Sequence, residues 1–180
     1  MRIALTAARV IGMVGLLFGA AAPAAAQGAA PANVALSYAL ITDSIADVGN
    51  GWVAAGALRV YRFTNIVVEA GGNYKTQDNG TEVRIHGFMS GVRFASPRDP
   101  SLSPFAQVLL GVECYCGSTV TFGEISKRLA LQPGAGIDLK VSPLLALRVQ
   151  ADVRRAAGDD DFDAATRFRF AAGLVVRFGD

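Results

Sequence analysis

The most constraining feature of this 180-residue sequence is a two-residue alternation of apolar and polar side chains that recurs up to the C-terminus. In residues 128–141 every odd position is apolar, and the even positions are polar or small. The same alternation fills residues 145–154 and 167–178. Because successive side chains of a strand point to opposite faces, this period predicts β-strands that are apolar on one face. Each segment is long enough to cross a bilayer as a tilted strand, which takes about 9–11 residues.

Five earlier segments alternate in the same way and bring the number of predicted strands to eight: residues 33–41, 52–62, 65–75, 81–94 and 104–114. In the fourth strand the apolar residues change from odd to even positions, because Ile85 and Met89 share one face whereas Val92 lies on the other. A β-bulge between Gly87 and Gly91 would explain this change, since one extra residue reverses the facing of all that follow. In the sixth strand Pro133 lacks the N–H that the ladder needs, which predicts a second bulge.

The connections between these strands alternate in length. Short ones at residues 62–65, 95–103 and 141–144 alternate with longer ones at residues 42–51, 75–81, 113–126 and 156–166. Short turns on one rim and longer loops on the other are typical of up-and-down outer-membrane barrels. We therefore predict an all-β fold, an eight-stranded antiparallel up-and-down transmembrane β-barrel that begins and ends at the periplasmic rim.

The distribution of charge indicates that the apolar faces point outward. Eight strands enclose a space that side chains only just fill, so eight apolar faces would not fit inside. In a bilayer the apolar faces contact acyl chains, the charged faces pair inside, and closure satisfies every backbone hydrogen bond. A soluble barrel or sandwich, which also alternates, is the alternative. The predicted lumen charge network comprises Arg59, Glu69, Arg84, His86, Asp138, Arg148, Asp152, Arg167 and Arg169, with Glu113, Lys140, Arg154 and Arg177 on the same faces.

Residues 1–26 have the features of a cleaved signal peptide. Arg2 and Arg9 provide a positive start, an apolar run follows, and small residues precede Gln27. A membrane helix is the alternative, but the apolar run is shorter than the roughly 20 residues that a bilayer requires. Cleavage leaves a barrel domain of residues 27–180. Without Arg2 and Arg9 the 17 basic side chains fall to 15, equal to the 15 acidic ones, and this balance gives no indication of nucleic-acid binding.

Three segments resemble small bacterial outer-membrane β-barrel domains, the relatives of OmpA/OmpX-type barrels. Residues 133–154 resemble the penultimate hairpin, residues 104–112 the strand that opens the second half, and residues 168–178 the closing strand. The resemblance covers about 154 residues and implies the bacterial outer membrane. It also implies contact with outer-membrane lipid and lipopolysaccharide, and recognition of the C-terminal strand by the barrel-insertion machinery. The sequence departs from the family where Gly179 and Asp180 follow Phe178, since the family usually ends on the aromatic residue.

The sequence offers few candidates for catalysis or metal binding. The single histidine, His86, lies four residues from Ser90, which on a strand separates them by about 13 Å, too far for a hydrogen bond. The acidic series Asp159, Asp161 and Asp163 begins like a calcium loop but lacks the glycine and the final glutamate of that motif. We therefore predict no catalytic residue, no cofactor and no metal site, a lumen position for His86 and a solvated acidic loop.

Cys114 and Cys116 flank Tyr115 at the start of a long connection. On a strand their Cα atoms would lie close to 7 Å apart, at the limit for a disulfide, so a bridge would need a local turn. A disulfide, free thiols and a metal site are the alternatives.

These features favour a non-enzymatic outer-membrane barrel with a structural, envelope-integrity or surface-contact role through its longer loops. A narrow pore or transporter of small apolar molecules is the second hypothesis, and a lipid-modifying enzyme is the third. A lumen filled by paired charges would argue against transport, and an enzyme would need a serine or a second base beside His86.

Overall fold

The computed structural model describes residues 31–43, 49–76, 82–96, 101–117, 126–158 and 164–179, and the regular structure in these ranges is β-strand. The strands are β1 (Ala32–Asp43), β2 (Gly49–Tyr61), β3 (Thr64–Thr76), β4 (Glu82–Ala95), β5 (Leu102–Gly117), β6 (Ser126–Lys140), β7 (Leu145–Ala156) and β8 (Ala165–Phe178). The predicted signal peptide and the acidic residues 159–163 lie outside the described residues. None of the described ranges contains a helix long and apolar enough to cross a membrane.

Each strand pairs antiparallel with its neighbours in sequence, and β1 also pairs with β8, so the sheet closes into a barrel. The closing register runs without a break from the pair Ala32–Phe178 to the pair Asp43–Arg167. Closure gives both edges of every strand a partner, which satisfies the backbone polar groups without water. The predicted eight-stranded antiparallel up-and-down barrel is confirmed.

The two rims of the barrel differ in their connections. At one rim Arg62 and Phe63 alone join β2 to β3, and residues 141–144 join β6 to β7. The first and last strands begin and end at this same rim, where Ala32 lies opposite Phe178. Short turns mark the periplasmic side of outer-membrane barrels, so the opposite rim, with the longer connections, is the extracellular one.

The predicted arrangement, with apolar faces outward and charged faces toward the lumen, is confirmed along the strands. Leu147 has 45% of its surface exposed on the barrel exterior, whereas its neighbour Arg148 is only 3% exposed. Across β7 this alternation repeats from Leu145 to Ala156. Large apolar side chains such as Leu110 and Phe170 cover the exterior. Because each of them would be costly to expose to water, this exterior requires a hydrocarbon environment.

The parity change in β4 is not caused by a bulge. The Cα partners of β4 on β3 and on β5 advance residue by residue over the whole strand. The bulge predicted between Gly87 and Gly91 is therefore wrong. The register shift in this part of the sheet lies instead between Arg59 and Tyr61, where β2 meets the short turn to β3.

Because β4 keeps its register, two predicted lumen residues lie on the exterior. Arg84 and His86 share a face with the exposed Phe88, whereas Met89 and Arg93 point into the lumen and are buried. The lumen positions predicted for Arg84 and His86 are wrong. On β4 the polar Arg84 and His86 therefore face outward, whereas the apolar Met89 packs inside the lumen.

Pro133 interrupts the pairing of β6 with β7 without shifting its register. Leu131 pairs with Arg155, and the pairing resumes at Gly134 with Asp152, in the same register. The bulge predicted at Pro133 is therefore wrong. Loss of one ladder hydrogen bond at the proline is tolerated, whereas a shift by one residue would have turned the following side chains to the wrong face.

Small side chains fill the part of the lumen that the charged residues leave. Apolar contacts inside the barrel form three groups, and alanine is the most frequent residue in them: Ala57, Val67, Met89, Leu109, Ala130 and Ala156; Ala35, Ala55, Ala146 and Val175; Ala39, Val53 and Ala171. Gly134 shows why the space is needed, since a Cβ there would lie 1.9 Å from Asp152 Oδ1. Short residues on some strands thus make room for long charged residues on others.

A charge on the exterior should destabilise the barrel in proportion to its depth. Leu110 lies midway along β5 and faces lipid, so Leu110→Arg should lower the free energy of unfolding by about 2–4 kcal/mol. Tyr61→Arg places the same charge at the periplasmic end of β2 and should cost about 0–1 kcal/mol. Denaturant titration in lipid vesicles measures both values, and equal costs would contradict the lipid-facing assignment.

Candidate functional site

The centre of the lumen is organised by one arginine that binds two carboxylates. Arg169 of β8 donates from Nη1 to Glu69 Oε1 at 2.7 Å and from Nη2 to Asp152 Oδ2 at 2.6 Å. Its Nε donates to the same Asp152 oxygen at 3.0 Å. All three side chains are at most 3% exposed. The guanidinium therefore connects β8 to β3 and to β7, across the inside of the barrel.

Three glutamines add hydrogen bonds to these carboxylates. Gln132 donates to Glu69 Oε1 at 3.0 Å and accepts from Arg154 Nε at 2.8 Å. Gln150 donates to both oxygens of Asp152, at 3.0 and 2.9 Å, and Gln107 lies 3.3 Å from Oδ1. Since an amide both donates and accepts, each glutamine can link charged groups without adding to the net charge.

A second group lies nearer the extracellular rim, around Glu113. This fully buried carboxylate accepts a hydrogen bond from Arg167 Nη1 and lies 3.5 Å from Arg154 Nη1 and 4.0 Å from Arg128 Nη2. Three guanidinium groups thus surround one carboxylate. Such charge-assisted contacts are stronger than neutral ones, and buried charges persist when they are paired in this way.

A third group lies toward the periplasmic rim, around the ring of Phe105. Arg148 forms a bidentate pair with Asp138, with contacts of 2.7 and 2.8 Å. Arg93 donates from Nε and Nη2 to Gln107 Oε1, at 2.9 and 2.7 Å. The guanidinium carbons of Arg93 and Arg148 lie 4.4 and 4.9 Å from the Phe105 ring centroid, so one aromatic ring orients both cations.

Most of the predicted charge network comes together in these groups. Glu69, Asp138, Arg148, Asp152, Arg167 and Arg169 take part, as do Glu113 and Arg154. Arg59, with Lys140 and Arg177, instead lines a cavity at the periplasmic end. The sequence interpretation missed Arg93, Arg128 and the three glutamines. The predicted bulge, with Val92 turned outward, also turned Arg93 inward, so Arg93 and the others could have been found from strand parity alone.

His86 lies on the exterior near the extracellular rim, in an aromatic surrounding. Its ring meets Tyr74 edge to face with centroids 5.8 Å apart, and Trp52 Nε1 donates to Tyr74 Oη at 3.3 Å. Ser90 shares the exterior face of the same strand, four residues away. Aromatic side chains at this level are typical of the membrane–water interface. His86 therefore belongs to an interfacial aromatic group, in place of the lumen position predicted for it.

Cys114 and Cys116, between which a disulfide was considered, lie two residues apart on one extended strand. Strand β5 continues to Gly117 and pairs Cys114 with His86 and Cys116 with Arg84. The local turn that would have brought the sulfurs together is replaced by extended chain. Among the described residues, no group of three or more His, Cys, Asp or Glu side chains is placed to hold a metal ion.

Comparison with known proteins finds similarity in structure alone. No protein-family model and no curated protein sequence matches the chain. Neisserial surface protein A superposes with a TM-score of 0.66 at 12% identity over 82% of this chain and 96% of that one. OprG of Pseudomonas aeruginosa gives 0.59 at 7% identity over 84% and 97%. Ail of Yersinia pestis gives 0.53 at 12% identity over 82% and 97%.

These neighbours are eight-stranded outer-membrane barrels, and the chain has their fold. Its apolar exterior requires a bilayer, and its closed strands meet the hydrogen-bonding demand of one. The protein is thus an outer-membrane β-barrel of the small, eight-stranded class. At such low identity the likeness concerns the fold and leaves the role of the protein to its own residues.

Removal of the central arginine should be strongly destabilising. Arg169→Met leaves Glu69 and Asp152 buried without their shared cation, which should cost about 3–5 kcal/mol of unfolding free energy. Adding Glu69→Gln and Asp152→Asn should restore much of that loss, because neutral amides no longer need the charge. Arg155→Met, which changes an exposed arginine of β7, is the control. Wild-type stability of Arg169→Met in denaturant titrations would show that the ion pairs do not stabilise the barrel.

Proposed function

We propose that this protein is a non-enzymatic outer-membrane barrel that contributes to envelope integrity and surface contact. The observation that supports this proposal is the filled lumen. The groups around Glu113, Arg169 and Phe105 follow one another from the extracellular to the periplasmic end. An ion crossing the barrel would have to break several buried charge-assisted hydrogen bonds in succession.

The exterior near the extracellular rim suits contact with lipopolysaccharide. Trp52, Tyr74 and His86 form the aromatic group described above, and the exposed Arg84 lies on the same face of β4 as His86. A cation beside interfacial aromatic rings suits a lipid that carries phosphate groups next to its acyl chains. The longer connections of this rim would extend the same contact surface away from the membrane.

The closing strand would serve insertion of the barrel into the membrane. Strand β8 has an apolar exterior face and reaches the aromatic Phe178 at the periplasmic rim. We expect the barrel-insertion machinery to recognise this strand, whose edge pairs with β1 in the finished barrel.

One observation favours the second function, lateral passage of small apolar molecules. The interruption of pairing beside Pro133 is a local weakness in the wall between β6 and β7. Behind it, however, Gln132 is fully buried and accepts a hydrogen bond from Arg154. An apolar molecule entering there would meet charged and amide groups, so this function ranks second.

The filled lumen predicts that purified protein gives no steady conductance in planar bilayers. Arg155→Ala, on the exterior, should behave as wild type, because it leaves the ion pairs intact. Stable single-channel steps that change with Asp152→Asn would show that the lumen conducts and would favour transport. Uptake of an apolar dye into vesicles that falls when Pro133→Val restores the missing backbone donor would favour lateral passage.

The proposed role predicts that cells lacking the protein become more permeable to detergents and apolar dyes. The wild-type gene should restore the barrier, and Arg84→Glu should restore it less well because it repels lipopolysaccharide phosphate. Arg62→Glu makes the same charge change at the periplasmic turn and serves as the control. Unchanged permeability on deletion would contradict the envelope role.

A further inference from the structure

We propose that the cavity at the periplasmic end of the lumen is a binding site for a phosphate group. The cavity has a volume of about 120 Å³. One water needs roughly 15 Å³ on this measure, so there is room for a small oxyanion and its bridging waters. Its walls come from β1 to β8 near the short-turn rim, which places it at the periplasmic end of the lumen.

The charges of the cavity favour an anion. Among the described residues that line it, five side chains are basic and one is acidic: Arg59, Arg93, Lys140, Arg148 and Arg177 against Asp138. Asp138 is already engaged with Arg148 through both of its oxygens. Arg59 and Arg93 lie outside that ion pair, and their positive potential adds up inside a narrow cavity, where low-dielectric walls strengthen it.

Two of the arginines that line the cavity also hold buried hydrogen-bond donors without an acceptor in the described part of the chain. Arg93 and Arg148 are 2% and 3% exposed, and the Nη1 atom of each has no hydrogen-bond partner among the described residues. The remaining nitrogens of these groups are fixed by Gln107, by Asp138 and by stacking on Phe105. Rotation toward other partners would break those contacts. Buried charged donors held in this way are costly unless an acceptor reaches them.

A phosphate group matches this arrangement better than a monatomic anion. Its several oxygens can accept from two guanidinium groups and from the half-buried Arg59 at once, which is the geometry that arginine forks recognise. The groups around Arg169 and Glu113 close the lumen above the cavity. The lumen is consequently closed on the extracellular side of the site, so a ligand would bind and leave from the periplasmic side.

Two sources share this chemistry: a soluble phosphate or phosphate ester of the periplasm, and the headgroup of a phospholipid of the inner leaflet. Inorganic phosphate is the first probe, titrated calorimetrically into the full folded protein in a zwitterionic detergent at constant ionic strength. We expect saturable binding that Arg59→Gln weakens about tenfold, since it removes one charged donor. Arg62→Gln removes a charge from the same rim outside the cavity and should bind as wild type.

Native mass spectrometry of protein extracted from vesicles of defined phospholipid tests the second source. A phospholipid that stays bound to wild type and is lost from Arg59→Gln identifies the headgroup as the occupant, whereas phosphate binding without retained lipid identifies a soluble ligand. Arg93→Gln, with Arg93→Lys as its charge-preserving partner, repeats both measurements on a buried donor, and gel mobility before and after boiling checks that each variant folds. The proposal is wrong if neither probe binds, or if Arg59→Gln binds both as tightly as Arg62→Gln.

Discussion

Pairing of β1 with β8 is the interaction on which the rest of this structure depends. In hydrocarbon no water satisfies an open strand edge, so eight strands must close on one another to be stable. Closure at eight strands leaves a narrow interior, and the apolar face of every strand contacts the lipid outside. The charged face of each strand must then point into the lumen. The network of ion pairs in the lumen is therefore a consequence of closure.

A narrow, charged interior is stable only when long side chains alternate with short ones and when positive charges lie beside negative ones. Long arginines of β7 and β8 cross the lumen to Glu69 and Glu113, and alanines and Gly134 give them space. Glutamines link the ion pairs, so that a few carboxylates hold a larger number of cations. At the periplasmic end, most of the charged side chains among the described residues that line the cavity are basic.

The arrangement separates two surfaces with different chemistry. The extracellular end has an aromatic and basic exterior around Trp52 and Arg84, with its longer loops beyond. The periplasmic end has short turns and a basic interior around Arg59 and Arg93. The ion pairs between them separate the ends, so each surface would act on its own side of the membrane. Envelope contact and phosphate binding are therefore independent proposals.

The sequence by itself determined the class of fold, the number of strands and the orientation of seven of them, because a period of two and the position of charge are local properties. It also placed Glu69, Asp152 and Arg169 inside. It failed at β4, where Met89 faces the lumen and His86 faces out, because facing there follows from the register with β3 and β5. Which arginine meets which carboxylate, and the cavity beside Phe105, were decided only by the tertiary structure. Those contacts join residues up to 100 positions apart, and strand tilt and closure, which no local pattern records, bring them together.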